Sequence, residues 1–133
     1  MKILVDTNVI ISAIVFGGKP RVLLLYLIEK GHSLIVSDYI VNEFSDIAYR
    51  KWPDKAEKVI EVFKKMDFSF VESSNEKADL AIRDEKDIQV LSDALLHNAD
   101  IILTGDKDFL EADIERPMAF SVAMLDEFLK SDK

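Results

Sequence analysis

Residues 2–11 read KILVDTNVII. Lys2–Val5 is short and aliphatic, as a buried strand would be, and from Thr7 to Phe16 the apolar residues recur at helical spacing. Asp6 stands at the junction. A carboxylate where a hydrophobic strand ends has an ordinary explanation, because aspartate is a favoured helix N-cap. It gains a chemical one if other acids occupy equivalent places.

The same alternation recurs outward from this stretch. Ser33–Val36, Phe68–Val71, Ile101–Leu103 and Met118–Phe120 are further strand-like runs. Helical periodicity marks Pro20–Lys30, Asp38–Arg50, Asp54–Lys65, Ile88–Asn98 and Val122–Lys130. Pro20 in a first helical turn, Gly31 beyond a helix end and Ser121 as an N-cap agree with those boundaries. Apolar strands alternating with helices predict an α/β fold, a three-layer α/β/α sandwich around a central parallel sheet of about five strands. Ligands of such sheets gather beyond the carboxyl ends of the strands. Asp6 falls at that edge, and so does Asp106 in ILTGDKDF.

The chain has 133 residues without an internal repeat or a Pro/Gly-rich linker, so one domain over residues 1–133 is expected. No apolar run approaches the roughly 18 residues of a membrane span, and the opening residues lack the long apolar segment of a signal peptide. There is no cysteine, which excludes disulfides and thiolate zinc sites and fits a cytoplasmic protein that avoids the membrane. The net charge of −8 argues against a broad, non-specific nucleic-acid binder. It leaves open an enzyme that holds a phosphate substrate through bound cations.

Four carboxylates stand out by position. Asp6 ends the first strand, Asp87 opens a helix in RDEKDIQVL, and Asp106 follows a strand. Glu43 lies within the helix SDYIVNEFSDIAYR. At about 100° per residue, Ile40, Val41, Phe44, Ile47 and Ala48 share its core face, and Glu43 sits at the rim, about 40° from Ile47. Asp38 and Asp46 project from the opposite side. Each acid also has a bland reading. Asp84 and Asp87 have capping-box spacing, Asp106 and Asp108 suit a turn or a short helix cap, and Glu43 suits a solvated rim. Together the acids repel. A pair about 4 Å apart costs on the order of 1 kcal/mol in water and about four times that near a protein surface. Hard oxygen donors without nearby histidine or cysteine suit Mg²⁺ or Mn²⁺, ions that serve phosphate chemistry.

LVDTNVIISA, SDYIVNEF, RDEKDIQVLSDALLHNADIILTGDKDFL and the closing FLK helix resemble, in order and over nearly the whole chain, the PIN-domain proteins, in particular the small VapC-like toxins of toxin–antitoxin pairs. The resemblance implies a parallel α/β sandwich and a metal-dependent ribonuclease that leaves a 5′-phosphate and a 3′-hydroxyl. Its catalytic and metal-binding acids match Asp6, Glu43, Asp87 and Asp106. A less regular fifth acid matches Asp108, and the small polar residues near the metal match Asn8 and Thr104. Asp84 and Asp93 lie within an alignment slip of Asp87. Glu85 departs from the Pro that relatives often carry. The implied partners are an RNA substrate, a small antitoxin protein and a second copy of the chain in a homodimer.

Two other classes of function compete. A signalling receiver domain shares the parallel α/β plan and an acidic Mg²⁺ pocket, but FSFVESSNEK lacks the aspartate it needs after its third strand. A non-catalytic partner-binding module that kept the fold would show no metal binding. Lys19, Arg21, Arg50, Lys51 and Lys107 could reach an RNA backbone and Trp52 could stack on a base. Equally, these cations could form a solvated surface, with Trp52 packed on its own helix. Neither His32 nor His97 is assigned to catalysis.

Overall fold

The computed structural model describes residues 1–76, 85–111 and 117–131, without the Asp108 side chain. The first strand, β1 (Lys2–Val5), leads through Asp6 into a short helix, α1 (Thr7–Ile11). One π-helical turn, Ser12–Phe16, continues it, closed by a hydrogen bond from the Gly17 N–H to the Ser12 carbonyl at 2.9 Å. Gly17 has φ +75°, a backbone conformation that favours glycine, and a Cβ there would press on the Arg21 guanidinium at 3.2 Å. Arg21 in turn donates to the Ala13 and Ile14 carbonyls at 2.7 and 2.9 Å. It satisfies the acceptors that the π turn leaves over. Of the cations that could reach an RNA backbone, Arg21 thus has its guanidinium engaged on its own chain.

After α2 (Gly18–Glu29) the chain forms β2 (Ser33–Ser37), α3 (Asp38–Lys51), α4 (Ala56–Lys65) and β3 (Ser69–Val71). It continues through α5 (Glu85–Leu96), β4 (Ile101–Leu103), α6 (Lys107–Glu111), β5 (Met118–Phe120) and α7 (Val122–Ser131). Gly31, at φ +84°, ends α2 in the left-handed conformation expected past a helix terminus. The Ser121 hydroxyl accepts the Met124 N–H at 3.1 Å and caps α7. The strands and long helices fall within a few residues of the periodicity; the helical spacing over Thr7–Phe16 does not tell its π turn from an α-helix, and the five-residue α6 is too short to leave a periodic signature.

All neighbouring strands pair in parallel, in the order β3-β2-β1-β4-β5. Consecutive residues of β1 and β4 are buried although successive side chains point to opposite faces, so helices cover both faces of the sheet. The α/β sandwich with a five-stranded parallel sheet is thus as expected. The order excludes the receiver arrangement, in which the first strand lies beside the third; here β1 lies between β2 and β4.

The core runs from Ile3, Leu4 and Val5 through Leu24, Leu27, Ile40 and Phe44 to Leu91, Ile102 and Leu125. Phe63 of α4 packs 4.4 Å, centroid to centroid, from Phe44 of α3 and 5.7 Å from both Phe68 and Phe70 beside β3. Burying such a ring contributes roughly 1.5–3 kcal/mol, and here it holds α3, the helix that carries Glu43, at a set angle to the sheet.

Candidate active site

The strand order reverses between β1 and β4, and a crevice at their carboxyl ends is where this architecture binds ligands. Val5 pairs with Leu103, and the Asp6 N–H donates to the Leu103 carbonyl at 2.9 Å, so Asp6 and Thr104 leave the sheet side by side. The Thr104 hydroxyl donates to Asp6 Oδ2 at 2.8 Å and accepts the Asp106 N–H at 3.0 Å. One hydroxyl therefore ties the acid after β1 to the acid after β4, residues separated by nearly the whole chain. The helix-cap reading of Asp6 holds only in part. Its Oδ1 accepts the Thr7 N–H at 2.8 Å, but the Val9 and Ile10 N–H groups go to its main-chain carbonyl, and the second carboxylate oxygen points across the crevice.

Glu43 and Asp87 come from α3 and α5, which pack against each other. Glu43 lies at the half-buried rim of α3, while Asp38 and Asp46 are exposed, as the helical geometry requires. Asp87, in the first turn of α5, is wholly buried, as are Asp6 and Thr104. Asp106, half-buried, precedes α6, and its carbonyl accepts the Leu110 N–H. Asn8 is exposed on the first turn of α1. Asp84 and the Asp108 side chain lie outside the described residues.

A residue that the sequence reading missed joins these acids together. The Lys86 ammonium lies 3.3 Å from Glu43 Oε1, with both side chains about four-fifths buried (23% and 18% exposed). Burial opposes the charge on Lys86, but Asp6, Glu43 and Asp87 outweigh it and raise the ammonium above its ordinary value of 10.5. Burial also pushes the Asp6 carboxyl above its ordinary 3.8. Lys86, the Thr104 hydroxyl and the Thr7 N–H oppose that rise, and Glu43 adds to it. The signal that could have exposed Lys86 is a cation in the first turn of a helix, where the backbone dipole disfavours it. Within RDEKD it looked like one more member of a solvated charge run.

Two further polar groups at this edge escaped notice. Thr7 Oγ1 and Ser37 Oγ, at the ends of β1 and β2, are buried and make no hydrogen bond among the described residues. Asp93, in contrast, is committed elsewhere: it accepts the Ser74 N–H, the Ser73 hydroxyl and the Gln89 side-chain amide.

Among the described residues three carboxylates face one ammonium, a formal excess of two negative charges in a largely desolvated crevice. Oxygen donors with excess charge and unsatisfied hydroxyls at their margin suit a hard divalent cation. Among the described residues, no three acidic or histidine side chains converge closely enough to hold such an ion as they stand. Chemistry and charge fit; the acids would have to close in.

The PIN-domain family model matches residues 2–108, and the chain belongs to that family. No curated protein is significantly similar to it in sequence. Its fold is similar to that of VapBC2 from Rickettsia felis, solved bound to a promoter DNA fragment. The TM-score is 0.74 at 17% identity, over 91% of this chain and 98% of that one. It is also similar to VapBC-1 from nontypeable Haemophilus influenzae, with TM-score 0.63 and 16% identity, over 92% and 99% of the two chains.

Proposed function

We propose that this chain is a divalent-metal-dependent endoribonuclease, the toxin member of a toxin–antitoxin pair, hydrolysing RNA phosphodiester bonds with Mg²⁺ or Mn²⁺. One observation carries the reading. Asp6 is wholly buried at the switch point of the sheet, and the lysine that opposes its charge is shared with two further acids. A pocket charged in this way favours binding of a cation over remaining as it is. Membership of the PIN-domain family supports nuclease chemistry.

In this reading Asp6, Glu43, Asp87 and Asp106 hold the ion. A divalent ion bound there would polarise the scissile phosphate and make a water molecule more acidic. Thr104 fixes the orientation of the Asp6 carboxylate and the start of the Asp106 turn, so a single side chain positions groups from two strands. Asn8, exposed on the first turn of α1, would hold a carboxylate or a water near the ion; Asp108 is carried by the resemblance alone. Lys19, Arg50, Lys51 and Lys107 are exposed cations available to an RNA backbone. Trp52, half-buried, meets Phe16 edge-on at 6.5 Å, leaving a partly exposed aromatic pair beside Arg50 and Lys51.

The test is cleavage of RNA by the purified chain with Mn²⁺ or Mg²⁺, with EDTA, and with Asp6→Asn. Activity that needs the ion and falls at least about a hundredfold in the variant is expected. Cleavage that survives both treatments would remove the reading. The two VapBC neighbours support a small antitoxin as partner, and a homodimer in the cytoplasm completes the proposal. A second reading, a non-catalytic binding module, draws on the Lys86–Glu43 pair, which could be a permanent structural neutralisation of the pocket. A metal titration with no binding at millimolar Mn²⁺ would favour it.

A further inference from the structure

We propose that Lys86 is a resident counter-ion of the acidic pocket, and that a divalent cation enters by displacing its ammonium rather than by filling a site already shaped for it. The inference rests on the metal-binding part of the reading above. It begins from placement. Lys86 is the second described residue of α5, in its first turn, where the helix dipole disfavours a positive charge. Its ammonium is nevertheless drawn inward to 3.3 Å from Glu43, into the field of Asp6 on β1 and Asp87 on its own helix. The acids hold it there against the helix.

The position of the ammonium also accounts for the spread of the acids. Among the described residues no three acids approach coordinating distance, and the ammonium in their midst lies 3.3 Å from Glu43 while Asp6 and Asp87 act on it through their charge. Lysine suits a removable role. Its charge sits on a flexible four-carbon stem and is strongly hydrated, so it can swing to solvent while remaining anchored at α5. An arginine, with a planar fork gripping two oxygens at once, would leave less readily. One positive charge leaves the pocket negative, and a divalent ion contacting the oxygens directly neutralises more of it. The exchange runs toward the metal for that reason, yet Lys86 lowers the apparent affinity, because the ion must compete with a tethered cation that never dilutes away.

The experiment uses the full chain, stripped of metal, and titrates MnCl₂ by calorimetry with the free ion followed by electron paramagnetic resonance. Lys86→Met keeps the length of the stem and removes the charge. It is expected to bind Mn²⁺ about tenfold or more tightly than the parent chain, and to melt at a lower temperature without metal. The gap in melting temperature should narrow when Mn²⁺ saturates both proteins. Equal or weaker binding by a folded Lys86→Met would overturn the exchange. A measurement on the unaltered chain covers the case in which that variant fails to fold: acetylation of lysines by a limiting acylating reagent, mapped by mass spectrometry. Labelling of Lys86 is expected to rise several-fold with Mn²⁺ while that of Lys64 and Lys65 stays level. Unchanged or reduced labelling also overturns the proposal. If the parent chain binds Mn²⁺ and only these signatures fail, the nuclease reading stands without the exchange. If neither protein binds Mn²⁺, both readings fall.

Discussion

Asp87 and Asp93 lie on the same helix, α5, and each is wholly buried, but the molecule treats their charges in opposite ways. Asp93 accepts three bonds from uncharged donors: the Ser74 N–H at 2.7 Å, the Gln89 amide at 2.9 Å and the Ser73 hydroxyl at 3.1 Å. The same Ser73 oxygen accepts the Tyr39 N–H at 2.8 Å, so this one carboxylate clasps the exit of β3, the start of α3 and the body of α5. No cation takes part in these bonds. Asp87 belongs to a crevice where acids from three elements share one lysine. A buried carboxylate surrounded by its own donors is a finished structural part. Among the described residues, the carboxylates around Lys86 carry more negative charge than it offsets, and the Asp93 clasp ties together α3 and α5, the helices that carry two of them.

That contrast breaks most visibly through Asp87→Asn. RNA cleavage is expected to fall by about a thousandfold, a barrier increase of about 4 kcal/mol, while urea denaturation of the metal-free chain shows no loss of stability. Removing one negative charge from an over-charged pocket relieves repulsion even as it deletes a ligand. A variant that unfolds easily would place Asp87 in the same structural class as Asp93. The converse substitution, Asp93→Ala, should lower stability by about 2–4 kcal/mol, since it strands buried donors and unties three elements. At a temperature where the variant is still folded, its cleavage rate should keep the same dependence on Mn²⁺ concentration. A changed Mn²⁺ dependence would bring the clasp into the site.

Thr104→Val tests the bridge between the two kinds of region with a smaller change. Valine keeps the shape but cannot donate to Asp6 or accept from the Asp106 N–H. Cleavage is expected to drop about 10–100-fold, in line with the loss of an outer partner of a metal ligand. Stability should drop by about 1–2 kcal/mol from the buried groups left over. An unaltered rate would mean that Asp6 needs no orienting partner.

How much of this was legible before the structure depended on the range of the interactions. Strands and long helices are local patterns, so all five strands and the long helices could be read from alternation and periodicity. Glu43 could be placed on the rim of α3 because helix geometry alone decides it. The placement of Asp6 and Asp106 at one edge followed from the parallel-sheet rule, which needs only strand ends, whereas Thr104 entered through the family resemblance. What was not legible lies between distant segments. Asp93 looked like a possible alternate ligand because nothing near it in sequence announces Ser73 and Ser74. Arg21 looked like a free cation because helical spacing over Thr7–Phe16 does not reveal the π turn whose carbonyls it takes up. Lys86 carried a local clue, a positive charge at a helix start, but the flanking acids disguised it as a surface run.

The smallest effect to expect is also the one whose sign distinguishes the two regions most directly. The folded chain holds the Asp6 carboxyl above its ordinary 3.8, burial being the main cause. Between that ordinary value and the raised one, the folded protein binds more protons than the unfolded chain. The contribution of Asp6 to stability is therefore fully present below 3.8 and is lost as pH rises through the raised value. Asp6→Asn carries no such titration, so without metal its stability relative to the parent chain should grow as pH increases from about 4 to 7. Thermal melts of both proteins across that interval measure the difference directly, and ionisations common to both cancel. Saturating Mn²⁺ should reverse the trend, because a bound cation favours the ionised carboxylate and stabilises the parent chain more as pH rises. Parallel melting curves for the two proteins, with and without the ion, would mean that burial does not hold the Asp6 carboxyl back from ionising, and the division between the two regions would disappear.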